Sequence, residues 1–96
     1  MKVMFGAANP EQAIAQLEAY YREGRGERAE VMASALVDQL IAKKDRDDAT
    51  QGILVKGLRI LAGVLNSREK YKRARVTIGL LHKHRKKHGK SVGHDL

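Results

Sequence analysis

The feature that most constrains this chain is a helix-break-helix stretch that occurs twice. The first copy runs from Tyr20 to Ala29, and a partial echo of it runs from Leu65 to Ala74. In each copy an amphipathic segment meets a short polar break, and a second segment opens on charged residues, with an alanine five places after the break. Internal repeats of paired helices are typical of proteins whose repeats stack on one another and form a surface that binds other molecules. We therefore predict an all-α fold of two antiparallel helical hairpins.

Length and composition are consistent with this fold. The 96 residues suffice for one small domain, which we expect to span residues 1–96. A hydrophobic content of 43% with four aromatic residues and one proline favours helices over a β-sandwich. The absence of cysteine excludes disulfides, thiolate metal sites and cysteine nucleophiles.

The first hairpin is predicted over residues 10–44. Asn9 can cap its first helix and Pro10 suits the first helical position, while Gly24 and Gly26 end that helix. The second helix is predicted over about 26–44. It stops in a run of charged residues, Lys43 to Asp48, which we interpret as a solvated loop whose aspartates cap the next helix.

The second hairpin is predicted over residues 48–87. Its first helix, about 48–66, is apolar over much of its girth and is therefore expected to be the central element. Its three glycines are expected to allow close approach of a neighbouring backbone. Asn66 and Ser67 are predicted to form the turn. The fourth helix, about 68–87, is expected to bury Tyr71, Ala74, Ile78 and Leu81, and residues 88–96 are expected to form a basic, poorly ordered tail.

The two hairpins resemble tetratricopeptide repeats. In that family the aromatic-rich end of helix A is followed by a glycine, and an alanine five places later packs helix B closely against helix A. Residues that match this pattern are Tyr20, Tyr21, Gly24 and Ala29 in the first copy, and Tyr71 and Ala74 in the second. The sequence departs from the family where Glu69 replaces the glycine and where no proline ends either repeat. An unrelated four-helix bundle is the alternative.

The spacing of the two alanines, 45 residues, exceeds the common repeat length of about 34. This longer period is similar to the extended repeats of kinesin light chain type, in which a segment like Gly89 to Leu96 closes helix B. The resemblance implies a groove on the exposed rows of the two A helices, where a partner segment binds. Its expected residues are Ile14, Glu18, Tyr21, Arg22, Lys56, Arg59 and Asn66.

Such a groove implies a small adaptor that binds a protein partner, with Tyr21 and Ile14 as anchors and with Lys56 and Arg59 selecting an acidic segment. A regulatory adaptor is one form of this function. The alternative is that these residues are ordinary solvated charges. The same two helical rows also include Glu11 and Gly63.

The second half of the chain carries a strong positive charge. Residues 1–48 contain seven Lys/Arg and nine Asp/Glu, whereas residues 49–96 contain twelve and two. One stripe of the fourth helix and its end suits contacts with phosphates, which indicates nucleic-acid binding without base reading as an alternative function. The alternative interpretation is a terminal helix whose charged side chains face solvent and bind no ligand. The stripe consists of Arg68, Lys72, Arg75, His82, Lys83, Lys86 and Lys87.

Val76 and Leu80 lie beside the main apolar row of the fourth helix, where a third repeat would cover them. We interpret them as a self-association patch that would form a homodimer. The alternative is that Val3, Met4 and Phe5, or the tail, fold over them.

The sequence shows no pattern of a catalytic or metal site. His84 and His88 have a spacing of four, but two histidines without a third ligand are a weak metal signal. We expect a non-enzymatic protein with no catalytic residues, no cofactor and no metal.

After Met1, residues 2–8 contain three large apolar side chains, Val3, Met4 and Phe5, too few for the roughly 7–15 of a signal-peptide core or the roughly 20 of a membrane span. We expect a cytoplasmic protein that does not associate with membranes.

Overall fold

Four α-helices make up the part of the chain that the structure describes. The computed structural model describes residues 9–91, with side chains to residue 86. Within these residues there is no strand, so the predicted all-α fold of helical hairpins is confirmed. Val3, Met4, Phe5 and residues 92–96 lie outside the described residues. The helices are α1 (Pro10–Arg22), α2 (Gly26–Ala42), α3 (Asp48–Ser67) and α4 (Tyr71–Ser91).

Side chains that the sequence marks as caps begin α1 and α3. The Asn9 Oδ1 atom accepts a hydrogen bond of 2.8 Å from the Gln12 backbone N–H, and Asp47 Oδ1 accepts one of 2.8 Å from Thr50. The hydrogen bonds that Asp47 accepts from Thr50 also lower the pKa of its carboxyl group. These caps satisfy N–H groups that have no partner within the first turn of a helix, and both cap predictions are confirmed.

The turns of the two hairpins have the same backbone hydrogen bonds, 45 residues apart. In the first turn, the N–H of Gly24 donates to the carbonyl of Tyr21 and that of Arg25 to Tyr20. In the second, Glu69 donates to Asn66 and Lys70 to Leu65. This pattern is a Schellman motif, which ends a helix with one residue in the left-handed conformation. Gly24 has φ 77° and Glu69 has φ 64°.

The second turn lies three residues later than predicted. Asn66 and Ser67 complete α3, and the chain reverses over residues 68–70, so α4 begins at Tyr71 instead of Arg68. The reason is that Glu69 adopts the left-handed backbone conformation that ends α3. A glycine at this position would have indicated the turn in the sequence, whereas a glutamate does not. At its other end, α4 continues to Ser91, beyond the predicted end at residue 87.

The α3 helix is the central element, as its apolar surface predicts. It packs against α1, α2 and α4, and α1 also packs against α2. Within residues 9–91, the backbone of α4 approaches α3 but neither α1 nor α2. The helices therefore form an open, layered arrangement in which each hairpin stacks on the next. The most deeply buried large side chains are Leu17, Leu36, Leu40, Leu54, Leu58, Val64 and Leu65.

The alanines that mark the repeat are buried, but Tyr71 is not. Ala29 and Ala74 are 0% and 1% exposed, so α2 and α4 approach their neighbours closely at these points. Tyr71 is 59% exposed, and its predicted burial is wrong because it is the first residue of α4, at the edge of the fold. The row of α4 that faces the core consists of Ala74, Thr77, Leu81 and His84, with Ile78 half-buried beside it.

Glycines in α3 allow side chains, rather than a backbone, to approach the helix. A Cβ atom added at Gly63 would lie 2.6 Å from the Tyr21 hydroxyl oxygen, and one at Gly57 would lie 3.4 Å from Cγ2 of Val37. The nearest neighbours of these two glycines are therefore side chains of α1 and α2, whereas the sequence analysis predicted a backbone. Gly63 in particular makes room for the Tyr21 ring.

Replacing Glu69 by glycine is expected to stabilise the protein. A non-glycine residue in the left-handed conformation costs about 1–2 kcal/mol, and glycine's greater freedom in the unfolded chain offsets part of the gain. We expect Glu69→Gly to increase the free energy of unfolding by about 0.5–1 kcal/mol. The measurement is urea denaturation. The matched control, Gly24→Ala, should destabilise by about 1 kcal/mol, and a destabilised Glu69→Gly variant would contradict the analysis of this turn.

Candidate functional site

A buried carboxylate surrounded by three cations joins the two hairpins. The side chain of Glu30, on α2, is 10% exposed. Its oxygens lie 2.8 Å from Arg68 Nε, 3.0 Å from Lys70 Nζ and 2.7 Å from an Arg73 guanidinium nitrogen. We call these four residues the Glu30 cluster. Because its cations come from the second turn and the start of α4, the cluster holds the second hairpin against the first.

The cluster lowers the pKa of Glu30. The hydrogen bond from Lys70 is the main cause; desolvation by burial acts against it, and the hydrogen bond from Arg73 and the charges of Lys70 and Arg68 act with it. A carboxyl group with a lowered pKa in the folded state stabilises the protein above its unfolded pKa of about 4.3. This stabilisation is lost as the pH falls through the folded value. The cluster therefore makes stability depend on pH in the acid range.

The sequence analysis did not identify the Glu30 cluster, although a signal for it exists. Glu30 lies three residues before Ala33 and seven before Val37, on the row of α2 that faces the core. A charged residue on an apolar row requires a partner because burial of an unpaired charge is costly. The partners could not be identified from spacing alone, since they are about 40 residues distant in the sequence.

A second polar network joins the loop between the hairpins to α4. Arg46 donates hydrogen bonds from its guanidinium group to the carbonyl oxygens of Leu40 and Lys43 and, at 2.6 Å, to the side-chain oxygen of Gln51. Gln51 in turn donates to the carbonyl oxygen of His84 at 3.1 Å and lies 3.4 Å from its Nδ1 atom. Arg46 therefore ends α2 and positions Gln51, which is a structural role that the predicted solvated loop did not include.

The α1 and α3 helices form a continuous surface, which we call the A face. The Tyr21 ring lies over Gly63, and Lys56 Nζ lies 3.4 Å from a Glu18 carboxylate oxygen. The Glu18 and Lys56 side chains, both predicted to line a groove, therefore contact each other, and no cleft separates the two helices at this pair. Tyr21 is 45% exposed, and Arg22, Arg59 and Asn66 are also exposed.

Ile14 does not belong to this surface. It is 6% exposed and lies in the core, where its Cδ1 atom is 3.8 Å from the position of a Cβ added at Gly57. The prediction of Ile14 as an exposed anchor is wrong because α3 packs over this part of α1. The remaining predicted groove residues are half-exposed, in the case of Glu18, or exposed, in the case of Tyr21, Arg22, Lys56, Arg59 and Asn66.

The basic stripe of α4 is exposed along most of its predicted length. Lys72, Arg75, His82, Lys83 and Lys86 are all exposed, whereas the side chain of Lys87 lies outside the described residues. Arg68 does not belong to the stripe. It precedes α4 and its guanidinium group binds Glu30, because the turn lies at residues 68–70. His84 is 6% exposed and faces Gln51.

Val76 and Leu80 line a groove between α2 and α4. Its floor is formed by α3, and its volume is about 300 Å³. Val76 is 66% exposed, whereas Leu80 is half-buried and packs against the core. We call this feature the α2–α4 groove; its residues are Ser34, Val37, Asp38, Ile41, Leu58, Leu61, Lys72, Arg73, Val76, Thr77 and Leu80.

A wider cavity of about 850 Å³ opens at the first turn, between Arg25, Arg28 and Arg68. The Arg25 and Arg28 guanidinium carbons lie 5.7 Å and 5.8 Å from the centre of the Tyr20 ring, within the range of a cation–π interaction. Tyr20 therefore holds both arginines at the elbow, and Arg25 also lies 3.3 Å from a Glu23 oxygen.

Two features are absent from residues 9–91: a cluster of metal ligands and a helix able to span a membrane. No group of three or more His, Asp or Glu side chains is arranged to hold a metal ion in this part of the chain. None of its helices combines the length and the apolar character needed to cross a bilayer.

Comparison with known proteins gives no relative: the chain matches no protein-family model, no curated protein sequence and no solved structure.

Glu30→Gln should destabilise the protein at neutral pH by about 1–3 kcal/mol, because three neighbouring cations lose their common carboxylate. The difference from wild type should shrink as the pH falls from 7 to 3, since protonation of Glu30 removes the same interaction in the wild type. Urea denaturation at several pH values measures both effects. Glu23→Gln is the control, because its exposed pair with Arg25 contributes about 0–1 kcal/mol. A difference independent of pH would contradict this role of Glu30.

Proposed function

We propose that the protein is a small, non-enzymatic interaction module, tetratricopeptide-like in its architecture, which binds a segment of an acidic protein partner on the A face in the cytoplasm. The protein acts in this function by binding alone and needs no cofactor or catalytic residue. When the bound partner is an acidic enzyme or complex, the same binding regulates that partner.

The open stacking of the helices supports this architecture. In an up-and-down four-helix bundle, the first and last helices pack together and close the core. Here, within the described residues, the α4 backbone approaches α3 but not α1. Helix pairs that contact only their neighbours are the property of solenoid repeats, which use extended surfaces for binding. The shared turn geometry at Gly24 and Glu69 also fits a repeated unit of 45 residues.

The observation that carries the proposed binding surface is the composition of the A face. Tyr21 offers an exposed aromatic ring held over Gly63. Lys56 pairs with Glu18 but its side chain is 49% exposed, and together with Arg22 and Arg59 it gives this surface an excess of positive charge. Aromatic and arginine side chains are the residues that most often dominate binding energy at interfaces. A partner segment with acidic residues around an apolar side chain fits this surface best.

Charge reversal on the A face tests this function. Lys56→Glu combined with Arg59→Glu should reduce capture of specific partners from an extract of the source cells by at least about tenfold, because the acidic segment would meet like charges. The matched control, Lys43→Glu with Lys44→Glu, makes the same change of net charge in the loop after α2 and should retain capture.

Capture is measured by quantitative mass spectrometry on proteins retained by the immobilised chain, and thermal melting verifies that both variants are folded. Equal retention of every protein by wild type and by the Lys56/Arg59 variant would exclude the A face as the binding surface.

Nucleic-acid binding is the second candidate function, and a specific observation favours it. The α4 helix contains eight Lys or Arg residues and no Asp or Glu. Several of its cations are exposed on one side, which suits contacts with successive phosphates. Among the described residues of α4 the one exposed aromatic ring is Tyr71, at the first position of the helix, so contacts with the backbone of the nucleic acid are the expected mode along the rest of the stripe.

A salt titration tests this second function. Neutralising about four phosphates should weaken binding of duplex DNA or single-stranded RNA about a hundredfold between about 50 and 200 mM salt. Replacing Lys72, Arg75 and Lys86 by glutamate should abolish binding at the lower salt concentration. Arg68 is left unchanged because it binds Glu30. Fluorescence anisotropy measures the affinity, and absence of binding by the wild type at about 50 mM salt would exclude this function.

A further inference from the structure

The α2–α4 groove exposes large apolar side chains on its two walls, above a floor that is itself buried. Leu58 and Leu61 of α3 form its floor, while Ile41 of α2 and Val76 of α4 stand on its two walls. Ile41 is 37% exposed and Val76 is 66% exposed. Large apolar side chains that meet in a concave surface mark a contact site more clearly than a single exposed residue does.

The two walls of this groove differ in charge. Of the three acidic residues of α2, only Asp38 lies on the groove, since Glu30 is bound in the Glu30 cluster and Glu27 lies at the first turn, whereas α4 carries eight Lys or Arg and no acid. On the walls themselves, Asp38 belongs to α2, and Lys72 and Arg73 belong to α4. Arg73 is bound to Glu30. Within the described residues, neither Asp38 nor Lys72 forms an ion pair. Lys83, seven residues after Val76, lies on the same row of α4.

We propose that the α2–α4 groove binds a second copy of this chain in a twofold symmetric dimer. A twofold axis parallel to the groove places α2 of each copy against α4 of the other, so that Asp38 of each copy meets the basic wall of the other. The exposed side chains of Ile41 and Val76 then pack between the copies, and Asp38 faces the Lys72 and Lys83 row of the other copy. Such an interface is self-complementary, as a twofold interface has to be.

This surface is separate from the A face, which lies on α1 and α3, so the dimer does not depend on the proposed binding of an acidic partner. In the dimer, the A faces of both copies remain available. Two linked A faces would bind a partner with two acidic segments more tightly than either would alone.

Sedimentation equilibrium of the purified chain tests the dimer. We expect the wild type to show the mass of a dimer at about 100 µM and to dissociate on dilution, as expected for an interface of modest area. Val76→Asp should raise the dissociation constant at least about tenfold, because it places a charge in the apolar contact. Val31→Asp is the matched control: Val31 is 67% exposed, lies 45 residues before Val76 and is outside the groove, and its variant should remain a dimer.

An exchange of charges distinguishes this arrangement from other dimers. Asp38→Lys alone creates two repulsive contacts in its own dimer, and so does the pair Lys72→Glu with Lys83→Glu. Each variant alone should therefore dissociate about tenfold more readily than the wild type. A mixture of the two variants restores opposite charges at both contacts and should form a mixed dimer, detected by native mass spectrometry.

Three results would overturn the dimer. A wild type that stays monomeric at about 1 mM would show that the groove is covered by the chain itself or is reserved for a different protein. Equal dissociation constants for Val76→Asp and Val31→Asp would place the interface elsewhere. Failure of the two charge variants to form a mixed dimer, while their melting curves show both to be folded, would exclude the pairing of α2 with α4.

Discussion

The fold depends on covering α3. This helix is apolar around most of its circumference, so one neighbour cannot remove its surface from water, and three helices pack against it. Burial of apolar surface is the main favourable term in folding. Since α1 and α2 cover one side and α4 another, the stacking order of the two hairpins follows from this requirement. The surfaces that remain outside, the A face and the α2–α4 groove, are positioned by the same packing.

Much of the fold could be predicted from local signals in the sequence. Asn9 and Asp47 mark the helix starts through a cap that involves residues three positions apart, and the apolar rows of α2 and α3 follow helical spacing. The left-handed residue of the second turn was not predictable in this way. Glu69 is a residue type that rarely adopts such a conformation, so Asn66 and Ser67 were the stronger local signal for a turn.

The candidate site was less predictable than the fold, for physical reasons. Exposure of Tyr21, Arg59 and Asn66 follows from the helical rows on which they lie. Burial of Ile14 depends on how α3 packs across α1, which spacing within one helix does not define. The Glu30 cluster depends on side chains about 40 residues apart meeting in space. Interactions of this kind require the tertiary arrangement, and they also hold that arrangement in place.

The Glu30 cluster has a consequence for the order in which the chain folds during synthesis. When the first hairpin leaves the ribosome, Glu30 has no cation to bind, because Arg68, Lys70 and Arg73 are still inside the ribosome. Burial of its carboxylate without a counterion would be unfavourable, so Glu30 stays in water until these residues emerge. The packing around Glu30 is therefore completed only when the start of α4 docks, and the two hairpins finish folding together.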